Sequence, residues 1–198
     1  MRIPRIYTPA TLTSGATIEL DEHAFSHAVR VLRLKQGDSL ILFNGLGGEF
    51  KAELSEVQKK RANASIGQFL DKSSESPLPI ILGQCISRGE KMDYTIQKAV
   101  ELGVTEIVPL FSERCGVKLN QERMEKRLRH WHSVIISACE QCGRNRIPKL
   151  HEAISLMDWQ QQLNASRKLV LDPTAANSLA TLSKPAKDVA LLIGPEGG

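Results

Sequence analysis

The chain has 198 residues, 26 of them Lys or Arg and 22 Asp or Glu, for a formal net charge of +4, with 41% apolar and 24% charged residues. This composition excludes a disordered chain, no run approaches the roughly 18 apolar residues of a membrane span, and Met1-Arg2-Ile3-Pro4-Arg5 opens without an apolar secretory core. The length allows one large domain or two small ones, and four irregularly spaced cysteines suit a reducing cytosol better than a disulfide framework.

Thr17 to Leu20 alternates as a strand. Asp21 then caps a short helix in which Ala24, Phe25, Ala28, Val31 and Leu32 share one face. Ser39 to Phe43 is a buried strand ending at the turn dipeptide Asn44-Gly45. Glu49 to Val57 alternates with Phe50, Ala52 and Leu54 on one face, and Ala62 to Leu70 is a further strand. Short strands with one helix predict a small barrel-like β domain. The polar, Ser-rich, Pro-terminated stretch Asp71 to Pro79 reads as a linker, and the domain boundary is placed there, giving domains 1–72 and 73–198.

Beyond it the rhythm changes. Ile80 to Ile86 is a continuous apolar strand, as in a sheet covered on both faces. Lys91 to Leu102 is helical, with Gly103 placed to stop it. Glu106 to Phe111 is a strand, and Gln121 to Cys142 is a long helix with Met124, Leu128, Trp131, Ile135 and Ala138 along one face. A helix near Ile154 to Leu163 and apolar strands at 168–171 and 189–193 complete an alternation that implies a mostly parallel sheet.

Charge is concentrated. Residues 114–149 hold nine basic and three acidic groups, a net +6, which leaves −2 for the rest of the chain. Such a segment is either a polyanion footprint or a solvated helix face. Cys139-Glu140-Gln141-Cys142 lies inside a helical pattern without a second cysteine pair, so neither a structural metal nor a redox role is expected. No phosphate-binding loop motif, dinucleotide fingerprint or serine-nucleophile elbow occurs. The most informative stretch is the end, where strand Leu191-Leu192-Ile193 runs into Gly194-Pro195-Glu196-Gly197-Gly198. It reads either as an ordinary strand-end turn or as a ligand loop at the carboxyl edge of a sheet, with Leu171-Asp172-Pro173 at the end of another strand.

Four motifs in order resemble one family: His27-x-x-x-Val31-Leu32-Arg33 with Gly37-Asp38; Gln97 to Val104 with Ile107-Val108-Pro109; Glu113-Arg114-Cys115 with Glu140 to Arg144 and Ile147-Pro148; and the Gly194 to Gly198 loop. Together they are similar to the RsmE family, 16S ribosomal RNA methyltransferases that modify N3 of uridine 1498 with S-adenosylmethionine. The resemblance implies an α/β fold: a SPOUT trefoil-knot methyltransferase domain preceded by a PUA-like RNA-binding β-barrel, in a cytoplasmic homodimer without metal. It implies cofactor contacts from Leu171, Gly194, Pro195, Glu196 and Gly197. Arg144, with Glu101 and Gln141, is the candidate catalytic group, and Arg5, Arg30, Arg33, Lys35, Arg114, Arg123 and Arg127 are candidate RNA contacts. In the family the chain continues past the glycine-rich loop. The knot is therefore expected to be incomplete in these 198 residues, the cofactor site half-built, and binding weak. Competing readings are methylation of another RNA base and a pure RNA-binding module.

Overall fold

The computed structural model describes residues 3–87, 89–112, 121–171, 174–175, 178–183 and 187–194. The chain forms two compact units: residues 1–75 with Cys139–Ile147, and residues 76–138 with 148–198.

In the first unit, β1 (Arg5–Tyr7), β2 (Thr17–Glu19), β3 (Ser39–Phe43), β4 (Glu49–Val57) and β5 (Ala62–Leu70) form one sheet in the order β1-β3-β4-β5-β2. β1 runs parallel to β3, and the other pairs are antiparallel. Ile6, Leu40, Leu42, Leu54 and Ile66 make the core with Phe25 of the helix α1 (Glu22–Phe25).

Asp21 caps α1 as its chemistry predicts, accepting the His23 and Ala24 backbone N–H groups at 2.9 and 3.2 Å. The continuation departs from the sequence pattern. Ser26–Val31 is a π-helical turn, in which the Leu32 N–H donates to the His27 carbonyl at 3.0 Å. The wider turn rotates the following residues outward. Ala24, Phe25 and Ala28 stay buried, but Val31 and Leu32, expected on the same face, are 67% and 40% exposed.

The stretch read as a linker is fastened. Lys72 reaches Glu49 at 3.6 Å, its carbonyl accepts from Asn145, Ser74 donates to the Gly143 carbonyl, and Glu75 pairs with Arg144. Its Ser and Glu side chains cap backbone and charge within the first unit, which a composition-based reading does not register.

In the second unit, β6 (Ile80–Cys85), β7 (Glu106–Phe111), β8 (Lys149–Leu150), β9 (Ile154–Ser155), β10 (Arg167–Val170) and β11 (Val189–Ile193) form a parallel sheet. Its order is β10-β11-β6-β7-β8, with β9 also paired to β7. The helix α2 (Lys91–Glu101) follows β6, and Gly103 ends that stretch with φ +97°. The helix α3 (Gln121–Cys142) buries Trp131, Ile135 and Ala138, the face its spacing predicts. Its residues belong to the second unit as far as Ala138 and to the first from Cys139. Ser155 caps α4 (Leu156–Gln162), accepting from the Asp158 N–H at 3.0 Å. Trp159 of α4 packs against Gly83 of β6, and a Cβ there would stand 2.4 Å from its ring.

Candidate functional site

The strand order of the second unit reverses between β6 and β11. From β6 the chain moves through α2 to β7 on one side, whereas β11 receives its connection from β10 on the other. Ligands of open α/β sheets bind at the carboxyl edge of such a switch point. A cavity of about 540 Å³ lies there, lined by Gln84, Ser87, Glu90, Lys91, Tyr94, Thr95, Ile193 and Gly194. The size falls within the range of small-molecule sites.

Gln84 is 2% exposed; its Nε2 donates to the Cys85 carbonyl at 2.9 Å, while its Oε1 has no hydrogen-bond partner. A buried amide oxygen left unpaired is costly, which sets Gln84 apart in the cavity wall. Ser87 is 6% exposed and adds a hydroxyl. A Cβ on Gly194 would meet nothing within 4 Å. The lining thus combines one cation, one carboxylate, a tyrosine ring and neutral amide and hydroxyl groups. That set matches S-adenosylmethionine, whose carboxylate, cationic groups, adenine ring and ribose need those partners.

A second polar assembly lies inside the first unit. The Arg5 guanidinium pairs with Glu49 and Asn145, donates to the Arg144 carbonyl at 3.2 Å, and lies 4.9 Å over the Phe43 ring. Burial alone would raise the Glu49 pKa, but Arg5 and Lys72 outweigh it and hold the carboxyl below its ordinary value. Arg144, 4% exposed, grips Glu75 with its Nε at 3.1 and 3.2 Å from the two carboxylate oxygens. Glu140 accepts the Tyr7 N–H at 2.9 Å, and its other oxygen lies 2.9 Å from His27 Nδ1.

The Glu140 hydrogen bond raises the His27 pKa above 6.5, against a lesser opposing effect of burial. A raised value means that the folded state holds the proton more tightly. The stabilisation is complete below pH 6.5 and fades as pH rises through the folded value. The melting-temperature deficit of His27→Gln should therefore be larger at pH 5.5 than at pH 9. A deficit independent of pH would show that the ion pair contributes nothing.

Cys139 and Cys142 sit in different settings. Cys139 is fully buried, its Sγ faces the Arg146 carbonyl at 3.7 Å, and burial pushes the thiol up to about 12. No group of three or more His, Cys, Asp or Glu among the described residues could hold a metal ion. Iodoacetamide at pH 8 should label the half-exposed Cys142 while leaving Cys139 intact in the folded protein, as peptide mapping would show.

The residues singled out in the sequence separate into distinct settings. Leu171 follows β10 and Gly194 follows β11, so both stand at the carboxyl edge of paired strands, although Leu171 does not line the cavity. Pro195, Glu196, Gly197 and Arg114 lie outside the described residues. Arg5 and Arg144 are interior, not surface, groups of the first unit. Glu101 pairs with Lys98 at 2.7 Å, and Gln141 is exposed. Arg30, Arg33, Lys35 and Arg123 are exposed, and Arg127 is half-buried. The sequence reading missed Gln84, Ser87, Glu90 and Lys91. Their available signal was position: they follow the first strand of an alternating β/α pattern.

Residues 74–198 match the family described as an RNA methyltransferase domain, and residues 20–67 match the RNA methyltransferase PUA domain. The ribosomal RNA small subunit methyltransferase E of Buchnera aphidicola from Schizaphis graminum is 39% identical over the whole chain and 80% of its own length. That of Rickettsia conorii is 31% identical, with the same coverage. A Legionella pneumophila protein solved with bound SAM superposes with a TM-score of 0.97 at 43% identity, over all of this chain and 82% of its own. The Neisseria gonorrhoeae ribosomal RNA small subunit methyltransferase E, bound to S-adenosyl methionine, gives 0.95 at 40%, over all of this chain and 81% of its own. The α/β unit is accordingly of the SPOUT type and the β unit PUA-like. With family models over both units and full-length relatives above 30% identity, the chain belongs to the ribosomal RNA small subunit methyltransferase E family.

Proposed function

We propose that this protein transfers a methyl group from S-adenosylmethionine to N3 of uridine 1498 in the 16S RNA of the small ribosomal subunit, as a cytoplasmic homodimer. The observation that carries the reading is the switch-point cavity, with its unpaired Gln84 oxygen, in a chain whose relatives were solved with that cofactor. When bound, the cofactor supplies an electrophilic methyl carbon and needs no activation by the protein. The protein's work is orientation, exclusion of water and removal of the uracil N3 proton.

Leu171, Gly194, Pro195, Glu196 and Gly197 are assigned to the cofactor, with backbone groups at the glycine-rich loop and Lys91 offering a cation to a carboxylate. Gln84 forms part of the cavity wall, fixed by its Nε2 bond to the Cys85 carbonyl. Arg144, engaged by Glu75, is a positioning residue that holds the segment carrying Gln141. Glu101 is held by Lys98 and serves the same kind of support. Arg30, Arg33, Lys35, Arg114, Arg123 and Arg127 are assigned to RNA. No helix among the described residues is long and apolar enough to cross a membrane, which accords with a partner in solution.

The test is methyl transfer from labelled cofactor to small subunits purified from cells lacking this activity, followed by mapping of the modified nucleotide. Modification of N3 at uridine 1498 is expected. A methyl group at another position, or none in the presence of measured cofactor binding, would overturn the reading. Gln84→Leu should lower cofactor or substrate affinity by at least ten-fold while the fold is retained, as titration calorimetry would show.

A further inference from the structure

The helix after Asp21 breaks the pattern its own sequence sets up. A 3.6-residue period would bury Val31 and Leu32, yet the π-helical turn Ser26–Val31 turns both out. Two residues on, Arg33 takes φ +58°, the only positive φ of a non-glycine among the described residues. An L-residue there is strained, and π-turns and such outliers persist where surrounding structure enforces them. Within the turn, His27 is held by Glu140. Departures of this kind from local consistency mark places shaped by something other than stability.

What the distortion displays is chemically coherent. Arg30 lies 5.2 Å over the Phe25 ring, which is itself 3% exposed. One face of the guanidinium is thus backed and flattened, while the side chain remains exposed. Next to it stand the uncovered Val31 and Leu32, then Arg33 and Lys35, with no carboxylate from Arg30 to Gln36. Flat guanidinium planes and apolar surfaces hold unstacked bases, and neighbouring cations hold their phosphates.

We infer that Arg30–Lys35 is a base-reading knuckle, in which the Phe25-backed Arg30 plane with Val31 and Leu32 receives a nucleotide out of its stack in single-stranded RNA while Arg33 and Lys35 hold the adjoining phosphates. The inference rests on the reading of this chain as an RNA methyltransferase. It adds which part of the β unit touches a base, and with what.

Binding of naked 16S RNA to the full chain, measured across a salt series, tests it. Val31→Ser with Leu32→Ser should weaken binding about ten-fold without changing the salt slope, because no cation is lost. Arg33→Gly should flatten the slope by about 0.7 and leave melting temperature equal or raised, since glycine adopts φ +58° without strain. A purely structural Arg33 would not separate those two readouts. All of these residues are exposed, so the variants keep the core intact, and circular dichroism checks this. Unchanged affinity and slope in all variants, with the wild type binding RNA, would overturn the inference and leave the methyltransferase reading standing. A change in oligomeric state without a change in RNA affinity would make the surface a contact between proteins and would also overturn it. A wild-type chain that binds no 16S RNA would remove the functional reading and this inference together.

Discussion

Arg144→Met is expected to destabilise the protein by about 3 kcal/mol, read as a lowered urea midpoint, because it strands Glu75 against a buried position. Both side chains are largely withdrawn from water, 5% and 16% exposed, and the pair is bidentate in character. Arg144 and Asn145 are also the point at which Arg5 and Lys72 attach, so the loss spreads to neighbouring groups. The double variant Arg144→Met with Glu75→Leu should recover more than half of the loss, since it removes the orphaned charge as well as the bond. If the double variant is as unstable as the single, the cost lies in lost packing and not in the uncompensated carboxylate.

Gly83→Ala is expected to be of similar size, about 3 kcal/mol, for a steric reason. The new Cβ would sit 2.4 to 2.7 Å from three ring atoms of Trp159. That indole is 7% exposed and packs with Cys85, Val108, Leu110 and Ala190, so it cannot swing away without opening α4 from the sheet. Relief should come from the partner: adding Trp159→Leu to Gly83→Ala should cost less than the sum of the two single changes. Tryptophan fluorescence of Gly83→Ala should shift to the red as water reaches the indole. An unchanged spectrum with unchanged stability would mean that the β6–α4 contact is looser than its geometry.

The parallel sheet was legible because its strands read as apolar runs, such as Ile80 to Ile86 and Val189 to Ile193, although only β6 and β7 are largely buried while β11 is mostly half-buried and β10 alternates with exposed residues. β8 and β9, two residues each, fall below any periodic signal. The π-turn was illegible for a different reason. The pattern through Val31 and Leu32 is a good α-helical one, and only tertiary restraint at His27 and the turn through Arg33 departs from it. The Arg5 cluster joins groups 44 and 140 positions apart, and charge spacing along a chain carries no record of such pairings. For the same reason the sequence reading assigned Arg5 to RNA and Arg144 to catalysis, without sign of the interior pairings that hold them. The cavity draws on Gln84 to Thr95 and on Ile193–Gly194, with no short motif spanning them, so only the strand order discloses it.

The division of the chain has a consequence for how the protein is made. The first unit is interrupted: residues 1–75 are synthesised early, but Cys139–Ile147, which supply Glu140 to Tyr7 and His27, Arg144 to Glu75 and Asn145 to Arg5, emerge only after the intervening stretch. At ordinary translation speeds that wait is roughly 4 to 14 s. During it Arg5, Tyr7, His27 and Glu75 remain without their late-arriving partners, and the nascent β sheet must persist without them. A gene fragment ending at codon 75 should thus yield a less cooperative, protease-sensitive product, which a synthetic peptide covering residues 139–147 would protect when added in trans.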